Sequence, residues 1–170
     1  GGGGDHRGAP AETILDLGIG DVFNARVAGN IANDDILGSL EFACQLAGAK
    51  VVLVMGHTAC GAIKGAIDKA ELGHLTSLLA KIRPAVEATP YEGDRSATNA
   101  GSVDAVAHTH VELTVADLRR TKSAGYVLEF PAGTTFTVAG SGGGWYATAR
   151  PGRVVSHHAL EYTRASLDDL

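Results

Sequence analysis

The sequence predicts an α/β fold built on a parallel β-sheet, and three observations predict it. Val51-Val52-Leu53-Val54-Met55 is an unbroken apolar run that stops at Gly56. A strand covered on both faces has this character, which marks a parallel sheet rather than a half-exposed antiparallel one. Apolar residues recur at helical spacing on either side: Ile36, Leu37, Leu40, Ala43, Cys44 and Ala47 before the run, and Val103, Ala107, Val111, Val115 and Leu118 after it. The 170 residues, 45% of them hydrophobic, are enough for a single domain with a sizeable core.

The elements follow in chain order. Residues 1–8 are a Gly-rich N-terminal segment in which Asp5, His6 and Arg7 follow four glycines. Its composition reads as a solvated tail, since glycines form neither strand nor helix unaided. Pro10-Ala11-Glu12 suits a first helical turn, with proline pre-set for it and an acid near the positive end. Asp21–Ala28 alternates as a strand does. Asn33 is placed to cap a helix that runs to about Ala47, with Asp34 and Asp35 in its first turn and Gly48 as a left-handed C-cap. Cys44 lies on the apolar stripe of that helix and reads as a small core residue.

The strand Val51–Met55 is followed by a short helix from Gly61 to Ala70 and another from Leu75 to about Ala88. Leu75, Leu78, Leu79, Ile82 and Val86 give the second helix its apolar face, and Pro84 is expected to kink it or end it early. Thr89–Gly101 is a polar loop, and Ser102 is expected to cap a long helix to about Thr121. Gly125–Phe130 and Thr134–Val138 read as strands, and a last strand begins at Trp145-Tyr146 and continues at Val154-Val155. Residues 157–170 are a poorly patterned tail.

Composition excludes several classes of function. A net charge of −5 offers no electrostatic surface for nucleic acid, and aromatic residues at 5% are too few for base-stacking platforms. The apolar runs are too short to span a membrane. Two cysteines make no disulfide scaffold, and no basic segment leading into an apolar one opens the chain. A cytoplasmic location is the expectation.

The chemistry is expected where the apolar strand ends, because ligands in open α/β sheets bind there. His57 and Cys60 stand at that point, followed by a helix. Imidazole and thiolate are both good zinc ligands, and three protein ligands plus water is the pattern of a catalytic zinc. Cys60 as a nucleophile with His57 as its base is an alternative, and either use benefits from a thiol acidified near a helix start. A phosphate loop is rejected, because Ala62 stands where lysine is required. His108 and His110, two apart on a helix, do not face each other and form no shared metal site. His74 and the pair His157-His158 read as surface residues.

Ala9-Pro10-Ala11-Glu12, the run Asp16–Asn30, the helix Ile36–Gly48, the word His57-Thr58-Ala59-Cys60-Gly61-Ala62-Ile63-Lys64-Gly65 and the stretch Leu75–Val86 carry a resemblance. Together, residues 9–88 closely resemble a β-class carbonic anhydrase of the bacterial type. The likeness weakens after about Arg120. It implies a mostly parallel β-sheet flanked by helices on both faces, a homodimer as the basic unit and one Zn2+ per subunit. The implied enzyme is a carbonate dehydratase, a lyase that reversibly hydrates CO2 to bicarbonate and a proton. Zinc lowers the pKa of bound water to about 7 and so supplies hydroxide at neutral pH.

The resemblance places His57 and Cys60 as the second and third zinc ligands of the family. The first is a cysteine in a Cys-x-Asp-Ser-Arg word, and here the corresponding residues read Gly3-Gly4-Asp5-His6-Arg7. With a gap placed after Arg7, Asp5 and Arg7 fill the family's Asp–Arg dyad, and Gly3 stands at the cysteine. With no gap, Gly4 stands at the cysteine, and His6 and Gly8 fill the dyad. Either way the first thiolate is absent, which leaves Asp5 or His6 to enter the coordination sphere. In the first alignment Arg7 holds Asp5 off the metal, and Asp5 accepts a hydrogen bond from the reacting water. A carboxylate on the metal would instead silence hydration. Two further readings of the same scaffold stay open: a catalytically impaired dimeric relative with weak or absent zinc, and a hydrolase of CS2 or COS.

Overall fold

Residues 16–49 and 51–120 of the computed structural model are described, together with Glu12 and the strand segments 122–123, 126–127, 135–136, 145–148 and 154–155. Helix α1 (Asp34–Glu41) runs directly into a π-helical turn, Phe42–Leu46. Strands β1 (Val51–Val52) and β2 (Gly56–His57) follow, then α2 (Gly61–Ile67), α3 (Gly73–Ala80), α4 (Arg83–Ala88) and the long α5 (Ala100–Arg120). Five short strands close the order: β3 (Lys122–Ser123), β4 (Tyr126–Val127), β5 (Thr135–Phe136), β6 (Trp145–Thr148) and β7 (Val154–Val155).

The core is arranged along α5. Its expected stripe, Val103, Ala107, Val111, Val115 and Leu118, is buried throughout. Toward the start of the helix, Val103, Val106 and Ala107 pack with Ile63 and Ala66 of α2, Leu79 of α3, and Ile82 and Ala85 around α4. Toward its end, Val111, Val115 and Leu118 pack with Leu37, Cys44, Val52 and Val54. One helix thus braces both halves of the loop that joins β2 to α2. The helix starts earlier than expected: Asn99 Oδ1 accepts from the Gly101 N–H at 3.1 Å, while Ser102, expected as the cap, is buried within the helix.

Asn33 caps α1 as its side chain predicts, with Oδ1 accepting from the Ile36 N–H at 3.0 Å. Asn33→Ala is expected to cost about 1 kcal/mol of stability, read from the urea midpoint. The helix does not continue regularly to Ala47. At Phe42–Leu46 the hydrogen bonds widen, the Ala47 N–H reaching back to the Phe42 carbonyl at 3.0 Å. A π turn takes up an extra residue and rotates the following face. Ala43 and Cys44 stay buried, whereas Ala47 leaves the stripe and Leu46 is 77% exposed. Gly48 takes the left-handed conformation, with φ of 78°.

Three expected elements are shorter or missing, among them the helix expected from Gly61 to Ala70, which ends at Ile67. Asp21–Ala28 forms no strand. Val27 keeps an extended backbone, at φ −138° and ψ 148°, but a strand requires a pairing ladder as well as local extension. Phe23, Asn24, Ala25 and Arg26 are exposed, and the segment ends in a 3-10 turn, Ala28–Asn30, bent at Gly29 with φ of 71°. The run Val51–Met55 is split, with β1 ending at Val52 and β2 resuming at Gly56. Pro84 acts as expected: α3 stops at Ala80 and α4 begins at Arg83 with proline in its first turn. Leu75, expected on the buried face, is exposed.

Strands and helices together make an α/β fold. Among the described residues, β1 pairs with β5 in parallel, Val51 opposite Thr135 and Val52 opposite Phe136. The other ladders are antiparallel: His57 of β2 opposite Trp145 of β6, Ala147 of β6 opposite Val155 of β7, and Lys122 of β3 opposite Val127 of β4.

Candidate functional site

Strand β2 delivers His57 to the end of the apolar run, and the chain then turns sharply. Ala59 adopts a left-handed conformation, φ 54°, which a residue with a Cβ takes only at a cost of about 1–2 kcal/mol. The turn brings Cys60 back toward His57 at the residue preceding α2, and the two side chains are hydrogen-bonded to each other. His57 is half-buried and Cys60 is buried.

The pair tunes itself electrostatically. The hydrogen bond to Cys60 raises the His57 imidazole above its ordinary pKa, outweighing partial burial, and the Cys60 charge and the Thr58 backbone add to the rise. Burial alone would push the Cys60 thiol up. The His57 hydrogen bond, the backbone N–H groups of Ile63 and Ala62, and the His57 charge overcome it, so the thiol lies below its ordinary value. Cys44 has no such partners, and burial pushes its thiol up. Thiolate forms above the thiol pKa, so alkylation of metal-free Cys60 is expected to rise at a lower pH than for an ordinary thiol. Mass spectrometry after iodoacetamide treatment at pH 7 should find Cys60 modified and Cys44 spared.

These features suit a metal donor pair. His57 Nδ1 lies 2.9 Å from the Thr58 carbonyl, which can only accept, so the ring's N–H points there and Nε2 is left as the ligating nitrogen. The lowered Cys60 pKa eases the loss of the proton that metal binding requires. The two donors fit a zinc centre as two of its ligands. Among the described residues no group of three or more His, Cys, Asp or Glu is placed to hold a metal. Asp5 and Arg7, expected in the site, lie outside the described residues, as do Gly3, Gly4 and His6.

The pair opens on a cavity of about 720 Å³. Residues 20–32, the run Val52, Leu53, Val54 and Met55, and Ala43, Cys44, Thr114 and Leu118 line it. Cys44 is therefore the core residue expected and also a cavity residue. Apolar residues predominate in the lining, and Asp21, Asn24, Arg26, Asn30 and Thr114 are polar points in it; the Asn30 Nδ2 donates to Thr114 Oγ1 at 3.4 Å. Neither residue carries a sequence pattern that marks it, because their meeting joins positions far apart in the chain.

Comparison with known proteins converges on one family. A family model described as carbonic anhydrase matches residues 4–133. The carbonic anhydrase of Mycolicibacterium smegmatis is 33% identical over 126 residues, which are 71% of this chain and 58% of that protein. Carbonic anhydrase 2 of Mycobacterium tuberculosis is 33% identical over 135 residues, 76% of this chain and 61% of its own length. The chain thus spans about three-fifths of the curated relatives it matches. In structure, the β-carbonic anhydrase of Aspergillus fumigatus superposes with a TM-score of 0.60 at 24% identity, covering 76% of this chain and 64% of that one. A Sordaria macrospora structure, one of two β-carbonic anhydrases described as tetrameric, gives 0.62 at 23% identity, covering 79% and 70%. The family match across residues 4–133 carries the conclusion, and the fold shared with β-class structures agrees with it: the chain belongs to the carbonic anhydrase family.

Proposed function

We propose that this chain supports the reversible hydration of CO2 to bicarbonate and a proton, as a zinc-dependent carbonate dehydratase. The observation that carries this is the hydrogen-bonded His57–Cys60 pair at the edge of the apolar cavity. His57 Nε2 and Cys60 Sγ would hold the metal. Zinc, when bound, is a Lewis acid that makes water acidic enough to supply hydroxide at pH values of about 7. Val22, Val27, Val54 and Met55 offer CO2, a small molecule without a net dipole, an apolar wall to rest against.

Asp5 and Arg7 are assigned the remaining work, supported by a family match that includes both positions. In this role Arg7 would pair with the Asp5 carboxylate. Held by Arg7, Asp5 accepts a hydrogen bond from the attacking water and orients it. Released, the Asp5 carboxylate would be free to join His57 and Cys60 as a metal ligand, which would stop turnover.

We further assign a homodimer, a mostly parallel sheet within one domain over residues 1–170, and a cytoplasmic setting in which both thiols stay free. The parallel β1–β5 pair and the fold shared with β-class structures support the sheet. Ile19, Phe23, Phe42 and Leu46 are large, apolar and exposed, and the Phe23 and Phe42 rings meet edge-on at 6.1 Å, which supports a covered face. Light scattering on the purified chain measures the assembly. No helix among the described residues is long and apolar enough to cross a membrane.

Metal analysis followed by stopped-flow CO2 hydration tests the reading. One zinc per chain and a rate well above buffer support it, whereas bound zinc without hydration refutes it. The glycines at the first cysteine position favour a second reading, an impaired relative with weak zinc. A stoichiometry well below one would select that alternative.

A further inference from the structure

His110 is a buried imidazole that the proposed reaction does not use. It sits on the inner side of α5, 5% exposed, and its Nε2 donates to the Gly29 carbonyl at 2.6 Å across 81 residues of sequence. Burial holds its pKa below the ordinary value, against the opposing pull of the Gly29 carbonyl and the Asp117 charge, so the ring is neutral near pH 7. One turn further along, Thr114 Oγ1 donates to the His110 carbonyl at 2.9 Å and accepts from Asn30. The left-handed Gly29–Asn30 turn is therefore tied to α5 at two successive residues.

That turn touches both ends of the loop carrying the donor pair. A Cβ built on Gly29 would lie 3.2 Å from the Ala62 Cβ, so the turn rests directly on the first turn of α2. There the N–H groups of Ala62 and Ile63 bond the Cys60 sulfur. At the other end, Gly56 precedes His57. A Cβ there would fall 2.7 Å from Val111 Cγ2, beside His110, and 3.9 Å from Asn30 Oδ1. The same stretch of α5 thus abuts the strand bearing His57 and, through Gly29, the helix start behind Cys60.

We propose that His110 is a positioning residue for the His57–Cys60 pair: by pinning the Gly29–Asn30 turn to α5, it sets the spacing of the two donors. The inference rests on the reading of that pair as metal ligands. Packing is tight on both sides of the loop, so a turn released from α5 shifts Ala62 and lets Cys60 move relative to His57.

The test compares the wild-type chain with His110→Leu, which keeps bulk without a donor, and His110→Gln, which restores an N–H at similar reach. Thr114→Val, which cuts the neighbouring tie, remains informative if His110→Leu does not fold. Cobalt(II) titration reads the intensity of the thiolate-to-cobalt band and the apparent affinity. Alkylation of metal-free Cys60, measured relative to Cys44, reads the pair without metal, and Cys44 reports general unfolding. His110→Leu is expected to weaken cobalt binding about 10–100-fold, the range for groups that orient metal ligands. It should also slow Cys60 alkylation without changing Cys44. His110→Gln should stay within about threefold of wild type, with Thr114→Val intermediate. Wild-type behaviour of His110→Leu in both readouts, or failure of His110→Gln to rescue, overturns the proposal. If the wild-type chain shows no thiolate-to-cobalt band, the metal reading fails, and the Cys60 alkylation ratio still decides whether His110 sets the pair.

Discussion

Cys60→Ser is expected to abolish metal binding at the proposed centre while leaving the fold standing. Cys60 brings the anionic sulfur, already acidified by His57 and two backbone N–H groups. Serine is nearly isosteric, but its hydroxyl is far less acidic than a thiol and reaches the metal as a neutral, weak donor. Zinc retention and CO2 hydration should both fall beyond the ~100-fold that changes to ligand-orienting groups reach. A hundredfold loss corresponds to about 2.7 kcal/mol of binding free energy. The circular dichroism spectrum should be unchanged, because Ile63, Ala66, Leu79 and Ile82 keep the surrounding cluster packed without the sulfur. Metal analysis after dialysis and stopped-flow hydration check the outcome. A variant that keeps its zinc would remove Cys60 from the ligand set.

Gly29→Ala is expected to be the most damaging small substitution among the described residues. Gly29 has φ of 71°, where a Cβ costs about 1–2 kcal/mol. The added Cβ would also stand 2.5 Å from Cδ1 of Ile82, a side chain with no exposed surface and therefore little room to retreat. Overpacking of this kind costs about 1–3 kcal/mol, so the total is about 2–5 kcal/mol. That is a large share of the roughly 5–15 kcal/mol by which a domain is stable. Gly38→Ala is the control. Gly38 lies in α1 with nothing within 4 Å of the new Cβ, and alanine there should stabilise by about 0.5–1 kcal/mol. Urea unfolding followed by circular dichroism measures both, and midpoints that move in the same direction would contradict the argument. The two predictions meet at one place, since Gly29 rests on the helix start that presents Cys60.

Features that depend on neighbouring residues were legible in the chain itself. The stripe from Val103 to Leu118 specifies a helix with one buried face, and all five of its residues are buried. Asn33 and Pro84 act through bonds within a turn of themselves, so their effects on α1 and on the α3–α4 break could be read in place. His57 and Cys60 are close enough in sequence for one turn to join them, and the joining turn costs only a strained Ala59.

Features that depend on partners elsewhere were not legible. Asp21–Ala28 has the alternation of a strand and forms none, because alternation describes a surface and a strand needs a second chain segment to bond. The π turn at Phe42–Leu46 moves Ala47 off its stripe, a rotation the regular 3.6-residue period does not contain. His110 was read only against His108, its neighbour on the helix, whereas its bond runs to Gly29. Local periodicity thus established the buried helix faces, and sequence proximity the meeting of His57 and Cys60. Only the tertiary structure showed that α5 is tied to the Gly29–Asn30 turn, and that a cavity opens beside the pair. A helical repeat specifies which face is buried and leaves open which distant backbone carbonyl that face meets.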